Sequence, residues 1–577
     1  MTEPIHANPT FDTGFADDIH VVDISSCGMT AAAYDFFEVD EVLRPMIGKT
    51  SSNFNIDNHQ LVKAMLCQYS ETRYSTLYKT AEYYKDRPLN GLLDDDAIRI
   101  TDLNRVNLAR CLDAVYDARP NEMFIRVAHR ALSKLGIKTE ICHIDTTSFR
   151  YEGVPKSEPG CDVVIELGYS RDSHPELPQV NQVLICENTT GVPFFTKAQS
   201  GGTSDKISFR NTLIDHWEFM RQQFIDLHYI VGDSALCTSE IAAQAAAKGI
   251  YFVTRMPDSY TDAKRCLAMA DTGQWEPINP DDPNSPLGMW CDNGHVGSQE
   301  VKMLMVRNPA MRDQKLDTAR RKAQRESEKT LSKLKKLHAH PQKCMADAQK
   351  AIEDLQASLK FNKLENIVYE EVKKHKSRGR PAAGQDAEVV AVKVSATVSA
   401  DETAIAQWVE SELLYVLCTN DLKREWTMAD LVGIYHRQSV VERGFKILKS
   451  KKILLDGLFL KKPSRICALM WLMSLGLLLH TATQYYLRQK MAEDQLTIPS
   501  PDGREQMPRP TMLRFIDYMK GCGVKLLWSD TQLRTSIKGL TQELRNILLA
   551  LGEPWYRYYT PAHYRQYVDL MVPAEQL

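Results

Sequence analysis

Three acidic side chains sit where a fold commonly places chemistry. Asp145 lies inside I-C-H-I-D-T-T-S-F, Ile141–Phe149, whose alternation and β-branching predict a strand. Asp233 follows the short apolar run H-Y-I-V-G and precedes a helical pattern from about Ser239. A carboxylate at the carboxyl end of a strand, before a turn into a helix, is where α/β sheets usually carry their sites. Glu442 is the lone acid of Y-H-R-Q-S-V-V-E-R-G-F-K-I-L-K, Tyr435–Lys449. Spacings of three, four and seven put Tyr435, Gln438, Glu442 and Lys449 on one face of a helix, while Val441, Phe445 and Leu448 would seat a neighbouring face on a core. Each feature also has an ordinary reading. Either Asp could cap a helix or close a turn, and the helix could be a solvated amphipathic one.

The elements that must position these residues read in a consistent order. Strands are predicted at 141–149, 162–168, 180–187 and 192–198, a helix from about Lys206 to Phe224, a strand up to Asp233, a helix over 239–248 and a strand over 251–254. Meandering strands followed by helix, strand, helix, strand is the order of an RNase H-like α/β fold. Such a sheet sets the first strand beside the fourth and makes Asp145 and Asp233 neighbours. The stretch from there to Glu442 is far longer than the fold needs, so an insertion is expected over 257–411.

These residues and their order resemble the DDE transposases of bacterial insertion sequences, in the branch with a Tyr-Arg-Glu-Lys signature helix and a long insertion before the Glu. The resemblance rests on D-T-T-S-F at Asp145, G-Y-S-R-D at Gly168–Asp172, G-G-T-S-D at Gly201–Asp205, G-D-S-A at Gly232–Ala235, the Glu442 helix, and F-L-K-K-P-S-R-I at Phe459–Ile466. It implies that Asp145, Asp233 and Glu442 are the catalytic, metal-binding triad for two Mg²⁺ ions, with Mn²⁺ able to substitute. It further implies metal-dependent DNA strand cleavage at transposon ends, transfer of the 3′-OH into target DNA, and a homodimer that synapses two inverted repeats. Expected DNA contacts are Tyr435, Arg437, Gln438, Arg443, Lys446 and Lys449. The signature Arg is replaced by Gln438, with Arg437 and Arg443 close enough to take over its phosphate contact. K-S-R-G-R-P, Lys376–Pro381, resembles a minor-groove hook through Arg378 and Arg380, or else a flexible basic linker.

Composition bounds the alternatives. A net charge of −3 announces no nucleic-acid partner, so DNA affinity must come from local patches. One such patch runs from Arg437 to Arg465, with nine Lys or Arg against Glu442 and Asp456. The 13 cysteines show no zinc spacing or disulfide framework, which fits reduced thiols in a bacterial cytoplasm, here near the nucleoid. The most apolar stretch, Ile466–Leu479, falls short of the ~20 residues a membrane span needs and reads as a core helix. A haloacid-dehalogenase-type phosphatase would need further Asp residues where Thr147 and Cys237 stand. A transposase-derived DNA-binding protein without activity is the other alternative.

The remaining regions frame this core. Residues 1–20 are polar and expected to be disordered. Residues 21–138 read as an all-α DNA-binding domain, with Arg73, Lys79, Lys85 and Arg87 as candidate phosphate contacts. The core is expected in two halves, 139–256 and 412–486, the second opening with a strand at Leu413–Cys418 and a Thr427–Asp430 capping box. Between them, 257–308 is β-like, and charged helices over 310–338 and from Pro341 to about Phe361 form a hairpin that either clamps DNA or stands as a solvated arm. Residues 487–577 read as helical, and the aromatic stretch Trp555–Tyr559 reads as core rather than as a base-stacking platform.

Overall fold

The computed structural model describes residues 19–49, 55–71, 77–169, 174–374, 388–450, 458, 460–529 and 534–565. The chain divides into two compact units, one made of Met1–Thr254, Val296–Gln299 and Gly433–Leu577, the other of Arg255–His295 and Glu300–Val432.

The first unit is built on five strands: β1 (Ile141–Arg150), β2 (Gln179–Glu187), β3 (Pro193–Ser200), β4 (Tyr229–Gly232) and β5 (Tyr251–Met256). Their order is β3-β2-β1-β4-β5. β1 pairs antiparallel with β2 and parallel with β4, and β4 pairs parallel with β5. This is the RNase H-like arrangement anticipated above. β1 is buried along nearly its whole length, as the central strand of a sheet covered on both faces must be. Two local expectations fail. Residues 162–168 make only one isolated bridge, Glu166 to Gln179, because Gly168 and Gly201 bring their backbones too close for a regular ladder: a Cβ on Gly168 would lie 2.1 Å from the Gly201 carbonyl oxygen. The helix expected over 206–224 is two, Asp205–Asp215 and Trp217–Gln223, which meet at His216.

A helix of 31 residues, Pro463–Glu493, is the spine of this unit. It is long and apolar enough to cross a membrane, yet most of its apolar window is buried inside the protein. It packs on β3, on the helices Arg105–Asp117 and Pro120–Lys134, and on Gln542–Leu551. Polar bonds fix its register. Arg465 donates twice to Asp113 at 2.7 Å, Trp471 Nε1 donates to the Pro120 carbonyl at 2.8 Å, and Gln182 Nε2 donates to Ser474 Oγ at 2.6 Å.

The amino-terminal segment is not purely helical. It opens with a strand, Ile19–Asp23, paired antiparallel with Lys525–Ser529, which pairs in turn with Arg534–Lys538. The two ends of the chain therefore share one sheet. Arg557 and Tyr558 reinforce it by bonding Asp35 and Asp94, and Trp555, Tyr558 and Tyr559 are buried, as expected of a core stretch.

In the second unit, Gln299–Arg307 pairs antiparallel with Leu414–Thr419. The helices Arg312–Ala339 and Met345–Ala357 pack on a β-hairpin, Asn362–Lys374 with Glu388–Ala400, through Leu334, Ile352, Leu355, Val392 and Val394. The helical pair is thus seated on a sheet rather than standing as a solvated arm. The second helix starts at Cys344, not Pro341, because Gln342 forms a bridge to Val392. At the expected start of Met428–His436, Thr427 Oγ1 accepts the Asp430 N–H at 3.0 Å, but its hydroxyl, not its backbone N–H, donates to Asp430 Oδ2 at 2.6 Å, so the capping box is only half made.

Candidate active site

Strand register brings the two aspartates together. Ile141, Cys142 and His143 pair with Tyr229, Ile230 and Val231, and the same offset sets Asp145 level with Asp233. Parallel neighbours lie ~4.8 Å apart, so both carboxylates project from one edge of the sheet. Both are half-buried. Asp145 Oδ1 accepts the Thr146 N–H at 2.7 Å. Asp233 Oδ1 accepts the Ala235 N–H at 3.0 Å and so caps the short turn Ser234–Leu236, while Thr254 Oγ1 donates to its carbonyl at 2.6 Å. The capping reading of Asp233 is therefore correct, and it also fixes the carboxylate at the strand end.

The helix that carries Glu442 packs on β1 and β2. The expected single helix is two, Met428–His436 and Ser439–Leu448, joined at Arg437–Gln438 by i→i+3 bonds such as Gln438 N to the Tyr435 carbonyl at 3.0 Å. Tyr435 therefore belongs to the preceding helix. The seat is as expected: Val441, Phe445 and Leu448 are buried against Phe149, Leu184 and Leu477 in one cluster. Gly444 permits the close approach, since a Cβ there would stand 3.2 Å from Leu477 Cδ2.

Gln438, expected to touch DNA, is instead occupied within the fold. Its Nε2 donates to the Ile144 carbonyl at 2.8 Å, and its Oε1 lies 3.2 Å from His143 Nδ1. Burial pushes His143 below the usual imidazole range, so the ring is neutral. On the other side of the ring, Nε2 lies 2.9 Å from Asn188 Oδ1, so each ring nitrogen faces an amide oxygen and the neutral ring donates to one of the two. Glu442 stands one helical turn beyond this brace, on a helix tied to the peptide just ahead of Asp145. Its side chain is exposed.

A fourth carboxylate escaped the sequence reading. Asp205 accepts a hydrogen bond from the hydroxyl of Thr146, the residue after Asp145. G-G-T-S-D ends on this residue, which was the available signal. The same motif is clamped to β2: Gln179 Nε2 and Asn181 Nδ2 donate to the Gly201 carbonyl at 3.0 and 3.1 Å, and Gly202 N donates to Glu166 Oε1 at 3.0 Å.

The basic candidates divide. Arg437, Arg443 and Lys446 are exposed, and Lys449 caps the Glu442 helix with its Nζ 5.5 Å from the Phe149 ring centroid. Arg378 and Arg380, like Arg73, lie outside the described residues. The Arg87 guanidinium stacks on Tyr83 at 4.3 Å and pairs with Asp86 at 2.5 Å.

Among the described residues, no three His, Cys, Asp or Glu side chains are close enough together to hold a metal ion, so Asp145, Asp233 and Glu442 do not form a preassembled metal cluster. Mg²⁺ does not require one, since it keeps several waters and takes part of its shell from substrate phosphate. Two half-buried carboxylates level on adjacent strands are suitable hard donors, and an exposed Glu on an adjoining helix is a suitable third.

Residues 137–479 match the family described as the transposase DDE domain, and residues 19–129 match a domain of unknown function, DUF4277. The first match spans more than half of the chain, and the protein belongs to the DDE transposases, enzymes of DNA transposition. No curated protein matches in sequence. Among solved structures, the chain is similar to the cryo-EM structure of the piggyBac transposase synaptic complex with hairpin DNA, at 9% identity and a TM-score of 0.37 over 96% of this chain and 87% of that one.

Proposed function

We propose that Asp145, Asp233 and Glu442 hold two Mg²⁺ ions and make this transposase cleave DNA at its element's ends and join the freed 3′-OH to target DNA. The observation that carries the reading is the shared register of Asp145 and Asp233 on neighbouring parallel strands. Two bound divalent ions would supply activation of the attacking oxygen and neutralisation of charge on the leaving oxygen. The chain's own part is positional. β1 and β4 hold two ligands rigidly, and the braced helix offers the third to a phosphate-bearing site. Lys449, Arg437, Arg443 and Lys446 grip the DNA backbone, with Tyr435 beside them, and Arg378 and Arg380 add minor-groove contacts. The amino-terminal helical region recognises terminal inverted repeats, and synapsis of two ends uses a homodimer.

The test is nicking of a pre-bound transposon end in Mg²⁺ by Asp145→Asn, Asp233→Asn and Glu442→Gln. Each amide keeps the shape and removes a negative ligand. Binding and folding should survive while cleavage falls by orders of magnitude, and the triple variant should cost little more than the worst single one. Cleavage by Glu442→Gln near the parent rate would remove Glu442 from the site. Separately, a fragment spanning the amino-terminal helices should footprint on the element's ends in preference to random DNA.

A further inference from the structure

Three arginines from separate elements lie near one another beside the Glu442 helix, and among the described residues none has an acidic partner. Arg488 lies on the carboxyl half of the spine helix, and its Nε donates to the Pro510 carbonyl at 2.8 Å. One turn earlier, Gln484 Oε1 accepts the Met512 N–H at 2.8 Å, so the segment carrying Arg509 is pinned along the spine. The Glu442 helix meets the same place, since Leu448 lines one cavity with Thr483, Met512 and Ile516. Arg443 follows Glu442 directly in sequence. Burial lowers the pKa of the Arg488 guanidinium, and the charges of Arg509 and Arg443 lower it further.

Several of the protein's other half-buried arginines do have an acidic partner. Arg465 pairs with Asp113, Arg557 with Asp35 and Asp94, and Arg307 with Glu410. Among the described residues, no ion pair is made by Arg443, Arg488 or Arg509. Holding like charges together with one of them partly desolvated costs free energy unless an anion offsets it. Guanidinium forks match the oxygens of a phosphate better than any other side chain does.

We propose that Arg443, Arg488 and Arg509 form a binding site for backbone phosphates of DNA alongside the Glu442 helix. The site rests on the transposase reading given above and extends it with Arg488 and Arg509. It supplies positive charge next to the catalytic helix at a point where Gln438 contributes none.

Its test is the salt dependence of binding of the full chain to a blunt DNA duplex of arbitrary sequence, which needs no catalysis. Arg509→Gln, an exposed position, should lower the log–log salt slope by roughly 0.9, and Arg488→Gln together with it by about twice that. Arg514→Gln, an exposed arginine on the adjoining helix, should leave the slope unchanged. Arg488→Lys should retain most of the slope, which separates a lost charge from a lost fold. Unchanged slopes in the Arg509 and Arg488 variants, or an equal fall with Arg514→Gln, would overturn the site while leaving the DNA reading intact. Inorganic phosphate that stabilises the unmodified protein but not Arg509→Gln, with DNA slopes unmoved, would reassign the cluster to a free anion. Failure of the unmodified protein to bind any duplex would sink the transposase reading itself.

Discussion

Asp145 and Asp233 are placed by backbone, whereas Glu442 is placed by side chains. The two aspartates each follow by two residues the last pair of a parallel ladder, His143 with Val231. Glu442 stands on a short helix held by the apolar seat of Val441, Phe445 and Leu448 and by the Gln438 brace. Two of the proposed ligands are therefore tied to the sheet, and the third is as rigid as one packing contact and one amide. Perturbing the seat should separate the third ligand from the first two, while nothing short of unfolding should separate the pair.

The largest effect is expected from the pair. Asp145→Asn should lower cleavage by orders of magnitude with little change in unfolding midpoint, read by single-turnover nicking and thermal melting. Next comes the seat. Phe445→Ala removes a buried ring and should cost about 3–5 kcal/mol in urea unfolding, with cleavage falling further than DNA binding. The brace is smaller. Gln438→Ala strands buried polar groups on His143 and Ile144 and should cost about 1–3 kcal/mol. Gln438→Arg, which restores the family's residue, sets a charge beside a neutral buried imidazole and should also destabilise.

Acid should act on the same side of the comparison. Burial pushes His143 below its ordinary range and holds His216 and His480 at about 4. These rings are neutral when folded, and an unfolded His titrates near ~6.5. Their contribution is complete above that pH and is lost as pH falls toward about 4, because the unfolded chain then binds more protons. Urea midpoints should decline through this window, and His143→Gln should flatten the decline. The smallest effect belongs to Lys449→Ala, which should lower the salt slope of end binding by roughly one unit for all sequences alike.

The sequence displayed the backbone-placed half of the site more clearly than the other. Alternation in Ile141–Phe149 and the apolar run before Asp233 identified β1 and β4, and their order fixed their adjacency. The apolar seat of Glu442 was also legible, because it follows one helical period. What escaped depends on tertiary partners. The turn at Arg437–Gln438 exists because Gln438 reaches across to β1, which no helical period encodes. The strand Ile19–Asp23 finds its partner at the far end of the chain. The strand Glu388–Ala400 did carry a signal, with Val392, Val394, Ala396 and Val398 at period two, but it stood beside a basic stretch that read as a linker.

The central claim is that three carboxylates share one metal site, and iron-directed cleavage of the polypeptide tests it without relying on catalysis. Fe²⁺ accepts the oxygen ligands of Mg²⁺ and, with peroxide and ascorbate, cuts the chain near its own position. The account predicts cuts close to Asp145, Asp233 and Glu442 in the DNA-bound protein, suppressed by excess Mg²⁺ and weakened at all three places by any single amide substitution. Cuts confined to the Asp145 and Asp233 strands, unchanged in Glu442→Gln, would contradict it.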